Sequence, residues 1–419
     1  MWTITLNENE FQTVSPYEAE RGDARTWKIA LWGTHRDERA IARLQRLFPQ
    51  TLGQLCQENE QNGWHLHEGL PLRKRSDENH EHLDSVPFLQ GKKRLNTTAM
   101  NASEYLFSVP PSALEDIPKE ECFIRKGRRK GLLVSEPPRL IMHASWKYVI
   151  YSNDYFVIRP RQIGLSAPQK DADYLRALSV FLSSSIVRYY LFFQTPSWGI
   201  ERDRITLDDV KSIPLPHFTP DQIAQLAAVQ KELAQMEIKR GTSSTQALVD
   251  EQIAHIFRLP ASMSILATEF HRVRSTLIGG STPGVAIKPP KEEDLRAYAQ
   301  EIANELDAFT TPRDTHHKVT MTTSQKMICC TVELLKSDQP LPIEVGKDGP
   351  DDTSPFAQMI NGLNKELSQW VYVQRGLRFF AGPKVHIYKM PRLINWTRTQ
   401  ALNDADDLIA EVLAAGMGK

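Results

Sequence analysis

The sequence has no surplus of charge. Lys plus Arg and Asp plus Glu number 51 each in 419 residues. Nucleic-acid binding through bulk charge is thereby excluded, and any such contact needs cations gathered locally. Long apolar runs are missing too. No stretch approaches the ~18 residues of a membrane span, so no membrane partner is expected. The opening residues, MWTITLNENE, lack the basic-then-apolar order of a secretory leader. Cysteine is scarce: Cys56, Cys122, Cys329 and Cys330 make no Cys-x-x-Cys pair. They read as reduced, mostly buried thiols, which fits a cytoplasmic location. There is no phosphate loop, no Gly-x-Ser-x-Gly, no helicase motif and no internal repeat. What remains is an ordinary globular composition, 41% apolar and 24% charged, with length for two or three domains.

The most structured stretch is 171–216. Leu175, Leu178, Leu182, Ile186, Tyr189 and Phe193 recur at three- and four-residue steps, which predicts one helix with an apolar face. Its end is aromatic: Tyr189, Tyr190, Phe192 and Phe193. Pro196 forbids continuation, and Ser197-Trp198-Gly199 supplies a turn. Thr206 is an N-cap candidate for a second, shorter helix, with Asp209 at the capping-box position. Pro214-Leu215-Pro216 then leaves the chain extended.

This order, an apolar helix ending YYLFF and then SWGIERDRITLDDVKSIPLP, resembles the segment closing the target-recognition domain of N6-adenine DNA methyltransferases of the type IIG and related restriction-modification families. In that group the recognition domain follows the catalytic domain. The run SQWVYVQRGLRFF…VHIYKMPRLINWTRTQALNDADDLIAEVL is similar to the extreme C-terminus of the same group. Catalysis of N6-adenine methylation needs a glycine-rich cofactor loop and an Asn/Asp-Pro-Pro-aromatic segment for the flipped base. Neither is present. The Pro-Pro pairs at 110–111, 137–138 and 289–290 lack the flanking residues. The resemblance therefore covers only the part that follows the catalytic domain. It implies a non-catalytic recognition and assembly component, with double-stranded DNA as one partner. A separate catalytic methyltransferase subunit would be the other and would carry the S-adenosylmethionine. The alternative is a protein–protein scaffold subunit of a defence complex without DNA contact.

The expected fold class is α+β. A docking arm with helices covers 1–60, and a mixed, β-rich recognition domain covers 61–216. A helical hairpin covers 217–275, a Gly/Pro/Ser linker 276–290, and a smaller α+β domain 291–419. Within the arm, residues 26–33 (TWKIALWG) place Trp27, Ile29, Leu31 and Trp32 together. They read either as a docking segment for the catalytic subunit or as a strand of this chain's own core. Residues 36–48 predict a helix with an arginine stripe, and Thr51 caps a short helix after it. Candidate strands are 64–68, 105–109, 122–124, 140–143, 148–151 and 155–158. In the C-terminal domain they are 318–322, 327–334, 370–373, 377–380 and 385–388. Helices are expected at 221–240, 246–258, 291–309, 357–367 and 399–415.

The most basic run is Arg125-Lys126-Gly127-Arg128-Arg129-Lys130-Gly131, five cations in seven residues. Between two strand candidates it reads as a hairpin tip for phosphates and guanine edges, or as a solvated turn. Arg73-Lys74-Arg75 and Lys92-Lys93-Arg94 are similar. No catalytic residue is assigned. His65 and His67, and His80 and His82, form two His-x-His pairs. Without a supporting Cys or acidic pattern they read as surface histidines, so no metal site is assigned. Residues 343–347 (IEVGK) do not fit a nuclease Glu-x-Lys core.

Overall fold

The computed structural model describes residues 13–76, 82–103, 106–196, 198–200, 202, 204–240, 245–277, 284–310, 314–324, 327–347 and 377–417. The expected elements at 357–367 and 370–373, and His80, lie outside these residues. The protein is of mixed α+β class with several small sheets. It divides into two compact units. The middle unit is Asp37–Ala267, and the terminal unit joins Met1–Arg36 with Thr268–Lys419. No helix among the described residues is long and apolar enough to cross a membrane.

The middle unit is built on a four-stranded antiparallel sheet in the order His65–Glu68, Gln162–Ser166, Arg139–His143, Val149–Ser152. The two central strands are buried along their whole length. Gln162–Ser166 was not expected from the sequence, because Gly164 and nearby Pro160 weaken the strand pattern. Gly164 is needed there: a methyl group on it would meet Val134 Cβ at 2.6 Å. The expected strand at 105–109 does not form over its described residues 106–109, nor does the one at 155–158. The backbone N–H groups of Leu106, Phe107 and Ser108 instead donate to the buried carboxylate of Glu237, at 2.8, 2.9 and 3.0 Å. Residues 155–158 contribute only an isolated bridge, Val157 to Arg94.

The helix expected over the YYLFF stretch is two helices, Ala172–Ser183 and Ser185–Gln194. Ser184 is extended at the break. Asp250 holds the second helix by its first residue: the Ser185 N–H and hydroxyl donate to its carboxylate at 2.7 and 2.6 Å. Leu207–Lys211 carries the expected capping box of Thr206 and Asp209. Pro214–Leu215 then pairs with Gln50–Thr51. The helices Pro220–Arg240 and Gln246–Ile256 both pack on Ala172–Ser183, inside the middle unit. A third helix, Ala261–Arg272, follows Pro260 where the sequence pattern predicts none. Phe48, Phe181, Phe218 and Phe257 meet edge to face in this unit, with centroids 5.7–6.1 Å apart.

The terminal unit is a five-stranded sheet in the order Glu344–Lys347, Thr315–Thr323, Ile328–Lys336, Lys384–Lys389, Leu377–Ala381. All neighbours are antiparallel except Glu344–Lys347, which lies parallel to Thr315–Thr323. Helices Glu292–Phe309 and Arg398–Met417 pack together, with Tyr298, Ile302, Ala401 and Ala405 fully buried in the shared core. Helices beside a mostly antiparallel sheet match the expected α+β layer. Within the expected linker, Ala286 is buried against Val273 and Leu393.

Candidate nucleic-acid interface

Two short ladders flank the main sheet of the middle unit. Leu83–Ser85 pairs with Phe123–Arg125, and Lys93–Leu95 pairs with Leu114–Asp116. Arg73 adds an isolated bridge to Phe123, its N–H donating to the Phe123 carbonyl at 2.8 Å. The basic run 125–130 leaves the first ladder. It is not the expected hairpin tip. The strand Phe123–Arg125 passes through a turn at Gly127 (φ 79°) into a short helix, Lys130–Leu133. Gly131 packs closely on the segment 68–70: a methyl group on it would meet Leu70 Cδ2 at 2.9 Å and the Glu68 carbonyl oxygen at 3.3 Å. The second flanking strand, expected at 140–143, forms as Arg139–His143, but only after this short helix.

Arg125, Lys126, Arg128, Arg129 and Lys130 are all exposed. Arg129 Nε lies 3.4 Å from the Asp84 carboxylate. Lys126, Arg128 and Lys130 make no ion pair among the described residues.

The other two basic runs are placed differently. Because Arg73 pairs antiparallel with Phe123, Lys74 and Arg75 run toward residue 121, away from the turn at 127. Lys74 approaches Glu121 at 4.0 Å, and Arg75 is exposed. In the run 92–94, Lys93 pairs with Asp116 at 2.8 Å, and Arg94 bridges Glu115 and Glu121. Burial opposes the charge on Arg94, but hydrogen bonds to Glu121 and Glu115 outweigh it and raise its pKa. Glu115 moves down: burial opposes this, and the hydrogen bond from Arg94 overrides it. The charge is therefore segregated, with paired carboxylates at residues 115–121 and, at 126–130, Lys126, Arg128 and Lys130 without an ion pair among the described residues.

His65 and His67 are half-buried. They lie on the edge strand His65–Glu68, two residues apart and so on one face. Burial lowers the pKa of His67, and Lys130, His65 and Lys211 lower it further. The spacing of the pair in the sequence signals a shared face; the approach of Lys130 is a tertiary fact. Among the described residues no group of three or more His, Cys, Asp or Glu side chains is placed to hold a metal.

The docking candidates lie in the terminal unit. Residues Ala24–Trp32 are a helix, capped by Asp23, whose side chain accepts from the Arg25 N–H at 2.9 Å. The alternative of a core strand therefore fails. Trp27 and Leu31 are exposed by 45% and 71%, one helical turn apart on one face. Ile29 and Trp32 are half-buried.

No protein-family profile and no curated protein matches this chain.

Proposed function

We propose that this chain is a non-catalytic DNA-recognition and assembly component of an N6-adenine DNA methyltransferase from a restriction-modification or phage-defence system. A separate catalytic subunit carries the S-adenosylmethionine and the adenine pocket. The observation behind the DNA contact is the turn at 125–130. In a chain of zero net charge it presents five exposed cations, three of them without an ion pair among the described residues. Lysines and arginines so placed neutralise phosphates and release counterions, and an arginine among them reads guanine with two hydrogen bonds. The test is fluorescence anisotropy of the full chain with labelled duplex at several salt concentrations. Binding should weaken steeply with salt, and Lys126→Gln with Lys130→Gln should flatten the log–log slope by about 0.9 for each phosphate no longer neutralised. A slope unchanged in both variants removes the turn from the interface.

A second reading, a protein–protein component without DNA contact, shares one observation with the first: the exposed Trp27 and Leu31 face. Both readings place a partner there. Trp27→Glu with Leu31→Glu should abolish co-purification with the catalytic subunit and leave the thermal melt in place. Retained co-purification moves the docking face elsewhere.

A further inference from the structure

Three loops of the middle unit are joined by backbone hydrogen bonds at one end of the four-stranded sheet. They are 144–147, 159–161 and, in the third, the described residues 198–200, 202, 204 and 205. The Ala144 N–H donates to the Arg161 carbonyl at 2.9 Å, and the Ile205 N–H donates to the Ala144 carbonyl at 2.8 Å. Within the third loop the Gly199 N–H donates to the Arg202 carbonyl at 2.9 Å. Two non-glycine residues here are left-handed: Trp146 (φ 55°) and Arg161 (φ 74°). Such conformations cost energy and persist where the surroundings enforce them. Trp146 is the anchor, buried with its indole N–H on the Leu182 carbonyl at 2.9 Å. Arg161 is exposed and has no such anchor.

These loops carry Lys147, Arg161, Arg202 and Arg204, all exposed and none in an ion pair among the described residues. By sequence the three segments also include Arg159, and with Glu201 and Asp203 as their only carboxylates they hold a surplus of three positive charges. Four exposed cations without an ion pair among the described residues, on loops joined by backbone hydrogen bonds, form a surface suited to a polyanion. The surface adjoins the basic turn. A methyl group at Gly69 would meet the Arg159 carbonyl oxygen at 2.3 Å, and one at Gly131 would meet the Glu68 carbonyl oxygen at 3.3 Å. The loop with Arg161 and the helix with Lys130 thus pack on the same short segment, 68–70.

We propose that Lys147, Arg161, Arg202 and Arg204 form a second binding surface for the phosphodiester backbone of duplex DNA, continuing the one at 125–130. The inference rests on the DNA reading above. It adds a role for the turn after the YYLFF helix: to hold arginines against two other loops.

The test is lysine acetylation of the full chain, read by mass spectrometry with and without excess random-sequence duplex at low salt. Lys147 should be labelled several-fold more slowly with DNA, together with Lys126 and Lys130. Protection of Lys126 and Lys130 alone overturns this inference and leaves the DNA reading standing. Protection of Lys147 alone supports it and withdraws the turn. Protection of none overturns both. Equal protection by polyglutamate at matched charge assigns the surface to an acidic protein and overturns the proposal. A second measurement uses Lys147→Gln, Arg161→Asn and Arg204→Gln together, asparagine being tolerant of the left-handed backbone. With the melt unchanged, the salt slope should fall by about 0.9 for each phosphate that loses its cation. An unchanged slope also overturns the proposal.

Discussion

Residues 92–94 and 125–130 are both basic runs in the middle unit, and their neighbours give them opposite roles. Lys93 and Arg94 sit across a ladder from Glu115 and Asp116, and Arg94 also reaches Glu121. Their charge is spent on the fold. Lys126, Arg128 and Lys130 leave their ladder through a turn and are presented outward. A run of cations in a sequence is therefore ambiguous until its cross-strand partners are known. The difference is testable, because a cation used by the fold changes stability, whereas a cation left free changes binding.

The largest effect belongs to the most neutralised cation, Lys389 of the terminal unit. It is buried with Asp404, which also accepts from the Tyr298 hydroxyl at 2.6 Å and the Gln400 amide at 3.2 Å. Asp404→Ala strands an ammonium in the core and should cost about 3–5 kcal/mol in urea unfolding. A loss under ~1 kcal/mol would mean that water already reaches Lys389. Next comes Arg94→Ala, with the Arg94 side chain 14% exposed and two carboxylates losing their partner. About 1–2 kcal/mol should be lost, with the salt slope for DNA unchanged.

A third effect depends on pH. Asp307 accepts from His316 Nδ1 and His317 Nδ1, each at 2.7 Å, and from the His317 N–H at 2.8 Å. Burial works to raise its pKa, and these hydrogen bonds bring it below the usual carboxylate value. The sign follows from that direction. A lowered folded pKa adds stability that is fully present above the unfolded value, about 3.9, and is lost as pH falls through the folded one. Asp307→Asn should therefore lower the urea midpoint at pH 7, with the gap to the native chain closing below about pH 4. A gap that stays constant with pH would assign the effect to packing.

The sequence was most legible where local rules decide. The Thr206/Asp209 capping box, the Thr51 cap and the turn at Gly382 before Lys384–Lys389 form as the residues dictate. It was least legible where a distant group decides. Glu237 takes the N–H groups of 106–108 that a strand would have used. Asp250 anchors the second half of a helix that the periodicity alone runs together. Gln162–Ser166 is a strand because its glycine accommodates Val134. The candidate interface shows the same limit. The cations of 125–130 are plain in the sequence, but that Asp84 pairs with Arg129, while the carboxylates at 115–121 take Lys93 and Arg94 instead, is set by the fold. The loops carrying Lys147, Arg161 and Arg204 are distant in sequence and join only in the fold.

The smallest effect on stability is expected at Arg128 and Arg129, and it separates two neighbours within one turn. Arg129 is 70% exposed and leans on Asp84 at 3.4 Å. An exposed pair of that kind contributes about 0–1 kcal/mol. Arg128 has no ion pair among the described residues. Neither Arg128→Ala nor Arg129→Ala should shift the melt by more than a few tenths of a kcal/mol, in contrast with Arg94→Ala. On DNA the two should differ. Arg128 is free to reach a phosphate, and its loss should flatten the salt slope by about 0.9. Arg129 must first leave Asp84, so its loss should flatten the slope less. Asp84→Asn should then steepen the slope, since it releases Arg129 and removes a repelling carboxylate. Equal slopes for the two arginine variants, with no change in Asp84→Asn, would show that Asp84 does not hold Arg129 and that the whole turn is equally free.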